Sequence, residues 1–217
     1  MSDHPILYSG PMIRALLEGR KTQTRRVVKR LRGWPEHSFC DPFLQPPAVW
    51  WWDGKHERLG VRQDCPYGQP GDLLWVRETI SRSTTTPGYM AYSADDQLVY
   101  DGERGWPSSI ERRKTIVSIH MPRWASRLTL RITDVRVERL QKISEADAIA
   151  EGISPEWEPG CSGRLMEAIG GFSFRPAASA YADLWESING PGSWDANPWV
   201  WAISFDVIKA NIDQVKP

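Results

Sequence analysis

The sequence has few cysteines and no excess of charge. Its 217 residues include three cysteines, with no Cys-x-x-Cys pair, and both Lys+Arg and Asp+Glu number 27, so the formal net charge is zero. An odd number of widely spaced cysteines argues against a disulfide framework and fits a reducing compartment, so we expect a cytoplasmic protein. Because no global positive field exists, attraction for nucleic acid would require a local patch.

Long apolar runs and cofactor motifs are also missing. We find nothing like a signal peptide and no apolar run near the about 20 residues that span a bilayer, so we expect no membrane association. The stretch GRKT lacks the earlier glycine that a nucleotide-binding P-loop requires. The pair His37-x-x-Cys40 has no second ligand pair, so we predict neither a metal nor a cofactor.

Tryptophan, in contrast, is abundant. The chain has 12, including the run at 50–52 and the residues at 199 and 201. Aromatic faces stack on bases, but they also fill cores and close the ends of barrels. We expect most of these side chains to be structural.

Hydrophobic periodicity and turn residues define the predicted elements. Helices are predicted over 11–20, 144–153 and 175–190. Strands are predicted over 24–30, 70–80, 127–140 and 198–208, with a bend in the third at Thr133-Asp134 and with hairpins near the three tryptophans and over 88–103. Dispersed strands with a few short helices indicate an α+β fold, a small β-barrel with flanking helices, and argue against a parallel βαβ sheet.

Positive charge is concentrated directly after the first helix. The segment 16–26, LLEGRKTQTRR, holds Arg20, Lys21, Arg25 and Arg26 around two threonines. The simplest interpretation is that these cations stabilise the negative end of the helix dipole. A second interpretation is a local site for an anion or an electron-rich ring.

The segment from Gly19 to Arg26 resembles the G-x-K-x-x-[E/T]-x-R signature of the ASCH domains, which are relatives of the PUA fold of RNA-binding barrels. The likeness continues in PGDLLWVRET, in TDVRVERLQKISEADAIAEGI and in WVWAISF. These pieces cover a little over a third of the chain. The resemblance implies a single PUA-like domain over 1–217 with long loop insertions at about 33–70, 81–126 and 154–198, similar to ASCH proteins of bacteriophages and prophages.

Thr24 stands where most ASCH sequences have glutamate. A threonine there is similar to the branch of small bacterial enzymes that hydrolyse the amide of N4-acetylcytidine. The resemblance implies the catalytic residues Lys21, Thr24 and Glu151. Glu145 and Asp147 are the alternatives for the acid, because its alignment depends on a short helix.

Amide hydrolysis also sets requirements that do not depend on the family. A threonine hydroxyl is a poor nucleophile unless a neighbouring base takes its proton, and a lysine accepts a proton only when it is neutral. Burial and nearby cations lower a lysine pKa, which gives the arginines beside Lys21 a second role. We therefore expect the Lys21 amine to lie within proton-sharing reach of the Thr24 hydroxyl, and Glu151 to serve as the acid for the leaving nitrogen. We also expect a Trp or Tyr beside Thr24, since the base must supply most of the binding.

Five further residues are predicted to bind the substrate. They combine positive charge with aromatic or imidazole rings, which suits a nucleobase or a phosphate: Arg20, Arg26, His120, Arg123 and Trp124. The alternative is that residues 120–127 form a structural loop that packs against the barrel.

Two functions of different classes follow from these observations. The first is a metal-independent amidohydrolase that removes an acyl group from N4-acylated cytidine or cytosine. The second is a PUA-like module that binds or processes RNA without acyl transfer. Thr24 favours the enzyme. A role in phage assembly has no residue here to support it.

Overall fold

The computed structural model describes residues 2–29, 43–45, 48–52, 60–99, 114–153 and 176–215. In chain order, the strands and helices of these ranges are β1 (Asp3–Leu7), α1 (Gly10–Leu17), β2 (Gln23–Val27), β3 (Phe43–Gln45), β4 (Ala48–Trp52), β5 (Gly60–Asp64), β6 (Leu73–Arg77), β7 (Ile80–Arg82), β8 (Met90–Tyr92), β9 (Thr115–Ile116), β10 (Thr129–Arg139), α2 (Glu145–Ala150), α3 (Ala177–Asn189), β11 (Trp199–Ile208) and α4 (Ile212–Val215).

The main sheet has five strands in the order β1-β6-β10-β11-β2. β1 runs parallel to β6, whereas the other neighbours are antiparallel. β10 and β11 alternate apolar and polar residues and form the centre of the sheet. Their register shifts between Ile132 and Asp134, which confirms the predicted bend in the long strand.

The helices and strands together confirm the α+β class. The predicted barrel differs from what the described residues form, because β1 and β2 are the edges of the sheet and no ladder joins them there. The two edges still approach at one end, where the Arg26 guanidinium donates to the Leu7 carbonyl at 2.7 Å. Pro5, which lacks an N–H, lies in β1, and an edge strand is the position that tolerates it. The parallel strand β1 was not predicted.

The largest core cluster lies between the inner face of this sheet and α1. Ile13 and Leu16 of the helix are fully buried there against residues from β10 and β11, including Trp201. The helical spacing of the apolar residues therefore predicted the correct buried face. The chain leaves α1 at Gly19, whose φ of +75° favours glycine.

A smaller cluster joins α2 to α3. Tyr181 and Trp185 of α3 pack there with Ala148 of α2. The Ser144 hydroxyl accepts the Asp147 amide hydrogen at 3.1 Å, and Gly152 follows the helix with a φ of +95°. Both boundaries of α2, and the end of α3 at Gly190, confirm the predictions.

Two three-stranded sheets lie within the predicted insertions. The first, β3-β4-β5, places the three tryptophans in its central strand, as the hairpin prediction required. The second, β8-β7-β9, contains the first half of the predicted hairpin over 88–103. Its return is reduced to a bridge between Ala91 and Leu98, and 100–103 lie outside the described residues. None of the helices in the described ranges is long and apolar enough to cross a membrane.

Candidate active site

Lys21 and Glu151 form a buried ion pair across 130 positions of sequence. The Lys21 amine donates to the Glu151 carboxylate at 2.6 Å and to the Glu151 backbone carbonyl at 2.8 Å. The two side chains are 0% and 3% exposed. The structure therefore brings together two of the three residues predicted to be catalytic.

Local backbone geometry fixes this pair. After α1 the Lys21 amide donates back to the Ala15 carbonyl at 3.1 Å, and a β-bridge then joins Lys21 to Glu151. The adjacent Thr22 amide donates to the Ala150 carbonyl at 2.8 Å. The end of α2 is thus tied to the start of β2 by main-chain bonds, and the ion pair lies at that junction.

The structure distinguishes Glu151 from the two alternative acids. The Glu145 carboxylate accepts the amide hydrogens of Ala177 and Ala178 and so caps α3. The Asp147 carboxylate accepts hydrogen bonds from the Gln23 amide group at 3.0 Å and from the Arg136 guanidinium at 3.1 Å. Only Glu151, of these three, contacts Lys21.

Thr24 is buried in β2, and Tyr8 lies beside it. Thr24 is 3% exposed, and its side chain approaches the phenol of Tyr8, which is 4% exposed. The Lys21 amine lies 5.6 Å from the centre of the same ring. The expected aromatic neighbour of Thr24 is therefore Tyr8, which contacts both predicted catalytic side chains.

The expected direct contact between Lys21 and Thr24 is not formed. Among the described residues no hydrogen bond joins the two side chains, and the two hydrogen bonds of the amine both go to Glu151. Tyr8 lies near both side chains.

Burial lowers the pKa of Lys21, and the Glu151 carboxylate opposes this effect. The positive charges of Arg26 and Arg25 lower the pKa further. This direction agrees with the role predicted for the arginine cluster, since it moves the amine towards the neutral form that accepts a proton.

Arg25, one of the arginines predicted to lower the pKa of Lys21, contacts the acidic groups of the site. Its side chain is fully buried and lies 2.6 Å from Glu138, 3.2 Å from Asp147 and 3.4 Å from Glu151. The Tyr181 hydroxyl also donates to the Glu151 carboxylate, at 3.4 Å. No local pattern of residues indicates a role for Tyr181 or for Tyr8, because contact with the site depends on how remote segments pack.

The predicted substrate-binding residues fall into two groups. Arg20 and Arg26 lie beside the ion pair: Arg20 donates to the Gly152 carbonyl at 2.8 Å, and the Arg26 guanidinium lies 5.3 Å from the centre of the Tyr8 ring. Arg20 also forms an exposed ion pair with Glu18.

His120, Arg123 and Trp124 lie elsewhere. Arg123 forms ion pairs with Asp3 and Asp213 at 2.7 and 3.0 Å. Asp3 begins β1, and the Arg26 contact is at the other end of that strand, about 13 Å away. The structure therefore does not bring this loop to Lys21, and it fits the alternative of a loop packed on the sheet.

The Asp147 carboxylate gives a prediction for stability against pH. Burial alone would raise its pKa, but hydrogen bonds from Gln23, Ser144 and Arg136 and the charge of Arg25 hold the pKa at about 2. A carboxyl group with a lowered pKa in the folded state stabilises the fold above its unfolded pKa and loses this effect as the pH falls towards 2. We therefore expect Asp147→Asn to cost about 1–2 kcal/mol at pH 7, allowing for screening by solvent, and much less at pH 2.5.

Urea denaturation at the two pH values measures this difference. Asp206→Asn is the control, since Asp206 is an exposed carboxyl group on β11. An equal loss for Asp147→Asn at both pH values would contradict the ionic role of Asp147.

Gly152 lies directly after Glu151 and packs against α1 and Lys21. A Cβ there would lie 3.1 Å from the Ala15 Cβ and 3.2 Å from the Lys21 Cβ, and φ is +95°. We expect Gly152→Ala to lower the free energy of unfolding by about 2–4 kcal/mol, from backbone strain and crowding together. Gly190→Ala is the matched control, because φ is +96° with nothing within 4 Å of its Cβ. The loss of free energy of unfolding for Gly190→Ala measures the backbone strain alone. Equal losses for the two variants in urea denaturation would show that crowding at Gly152 contributes nothing.

No group of three or more His, Cys, Asp or Glu side chains suited to a metal ion occurs in the part of the chain that the structure describes. His37 and Cys40 lie outside that part. Comparison with protein-family models, with curated proteins and with solved structures finds no match for the chain.

Proposed function

We propose that the chain is a metal-independent amidohydrolase that removes an acyl group from N4-acylated cytidine or cytosine. The observation that carries the proposal is the buried Lys21–Glu151 ion pair, formed by two of the residues that the resemblance to ASCH enzymes implies to be catalytic. A PUA-like origin of the fold, a single domain and a cytoplasmic location belong to the same proposal.

The ion pair is better explained by chemistry than by stability. Moving two charges out of water often costs more free energy than their mutual attraction restores, so a buried ion pair is weak evidence for a stabilising role. Ionisable groups with shifted pKa values are concentrated at functional sites. Lys21 has such a shift, and a buried hydroxyl, Thr24, lies nearby.

The first chemical step requires a neutral amine. The 2.6 Å contact permits one proton to pass from Lys21 to Glu151, which leaves a neutral base and a protonated acid in a buried setting that disfavours two charges. Lys21 then takes the proton of Thr24, whose oxygen attacks the amide carbonyl carbon. Contacts of this kind commonly tighten only when substrate binds, so the proposal requires the Lys21 amine and the Thr24 hydroxyl to approach each other in the complex.

Glu151 completes the step as the acid. When the bond between the carbonyl carbon and N4 breaks, the electron pair goes to N4 and the Glu151 proton follows it, releasing the amine. Water then attacks the acyl ester of Thr24 and gives a proton to the Glu151 carboxylate. The Thr24 oxygen takes a proton from the Lys21 ammonium as the carboxylic acid leaves, which restores the starting state of all three groups. The sum is amide plus water giving amine plus acid.

Arg26 and Tyr8 are the groups available to receive the pyrimidine. Arg26 is half-buried and forms the outer side of the site, whereas Lys21, Thr24 and Tyr8 are all buried. Entry of the substrate therefore requires Arg26 to leave the Leu7 carbonyl. A guanidinium plane and an aromatic ring are suited to stacking on a base.

The test is incubation of the purified protein with N4-acetylcytidine, followed by the ultraviolet change on conversion to cytidine. We expect turnover that a chelator does not reduce. A wild-type protein that is inactive on every N4-acyl pyrimidine tried, but retains single-stranded RNA in a salt-dependent manner, would favour the RNA-binding alternative.

A further inference from the structure

Tyr8 carries a buried hydroxyl group that no protein group satisfies. Within the described residues this oxygen has no hydrogen-bond partner, although Tyr8 is only 4% exposed. Thr24 and Arg26 approach the phenol closely enough to influence its pKa, but neither completes a hydrogen bond of good geometry. The unpaired donor therefore lies next to the proposed nucleophile.

The position of Tyr8 is fixed by other parts of the residue. Its amide donates to the Arg77 carbonyl at 3.2 Å, which continues the pairing of β1 with β6. Its ring belongs to the main core cluster and contacts the Arg26 guanidinium on one side. The hydroxyl is thus held in place without taking part in holding the fold.

Stability alone does not account for the hydroxyl. A buried donor without a partner costs free energy, and phenylalanine would fill the same space without that cost. Native proteins pair most buried polar side-chain atoms, and an exception calls for a functional explanation. The Arg26 Nε at the same place is also buried and without a partner, so two unpaired donors face this region.

The proposed reaction requires such donors beside Thr24. When the Thr24 oxygen forms a bond to the carbonyl carbon, the π electron pair moves to the carbonyl oxygen, which becomes an oxyanion. Amide hydrolysis is accelerated by fixed hydrogen-bond donors at that oxygen. Lys21 and Glu151 are occupied with proton transfer, so neither supplies this donor.

We propose that the Tyr8 hydroxyl is the oxyanion donor of this site. This inference rests on the proposed amidohydrolase function. The phenol proton stays on Tyr8 throughout: it strengthens its hydrogen bond as charge develops, and the electron pair returns to the carbonyl when the bond to N4 breaks.

The electrostatics of Tyr8 are compatible with a donor that keeps its proton. Burial raises the pKa of the phenol, while the charge of Arg26 and the Thr24 side chain oppose the rise without cancelling it. At neutral pH the group is therefore a hydroxyl that donates.

Tyr8→Phe tests the inference, because it removes the donor and keeps the ring. We expect kcat for N4-acetylcytidine to fall about 100-fold, with KM changed less than about threefold, since the lost interaction exists only in the transition state. The urea midpoint should not fall, because the hydroxyl has no partner to lose.

Tyr92→Phe is the matched control. The Tyr92 hydroxyl donates to the Ala125 carbonyl at 2.7 Å within a separate core cluster that includes Ile80 and Ile116, so its loss should lower the urea midpoint and leave kcat unchanged. The two variants are thus expected to show opposite patterns.

Two results would overturn the inference. Tyr8→Phe with unchanged kcat, whether or not KM or the urea midpoint changes, would refute the donor role, and the proposed function would stand because the wild type is active. A wild-type protein without amidohydrolase activity would refute both.

Discussion

Thr24→Ala and Lys21→Ala are each expected to reduce the rate of N4-acetylcytidine hydrolysis by about 10³-fold or more. The first variant removes the nucleophile. The second removes the base that takes its proton, and it leaves the Glu151 carboxylate without its closest cation. Because both residues act in the same step, the double variant should be little slower than either single one. The ultraviolet change on formation of cytidine measures all three rates.

The chain supplies a matched control for each substitution. Thr22 is two residues from Thr24 in the same segment and is exposed, so Thr22→Ala should keep wild-type activity. Lys29 is an exposed lysine just beyond β2, and Lys29→Ala should behave in the same way. Equal rates for wild type, Thr24→Ala and Lys21→Ala would remove the basis for the assigned roles.

Glu151→Gln is expected to lower the free energy of unfolding by about 3–5 kcal/mol. It leaves the Lys21 ammonium fully buried without a carboxylate partner. Lys21→Met should cost less, because Arg25 still lies 3.4 Å from Glu151 and offers a second positive charge. Urea denaturation of the purified variants measures both losses.

The double variant Lys21→Met/Glu151→Gln is expected to recover a large part of that loss. It removes both charges, so no unpaired ion remains buried, and the coupling between the two sites measures the pair. Glu18→Gln is the control, since the Arg20–Glu18 pair is 42% and 52% exposed and should contribute less than about 1 kcal/mol. Losses for the two single variants that simply add in the double variant would show that the pair is not coupled.

These two experiments separate stability from chemistry. The double variant lacks both proton-transfer groups, so it should be stable and inactive. Recovery of the free energy of unfolding without recovery of turnover would therefore indicate that the ion pair is kept for its reaction. This pattern is expected where a functional site lowers the stability of the fold.

Local sequence signals determined most of the elements. The apolar spacing of 11–17 and the glycine at 19 defined α1, and Ser144 and Gly152 bounded α2, because capping and periodicity act over only a few residues. The alternation over 127–140 defined the central strand together with its bend. β1 was missed because a five-residue strand that contains Pro5 has no alternation to detect.

The candidate site divides in the same way. The sequence by itself determined that Lys21 and Thr24 lie three positions apart at the start of a strand after a helix, since both belong to one short segment. Only the tertiary structure decided that Glu151, and not Glu145 or Asp147, contacts Lys21, and that Tyr8 lies beside Thr24. Those contacts join the end of β1, the start of β2 and the end of α2. Their positions follow from the pairing of remote strands and the packing of the core, which no local pattern of residues specifies.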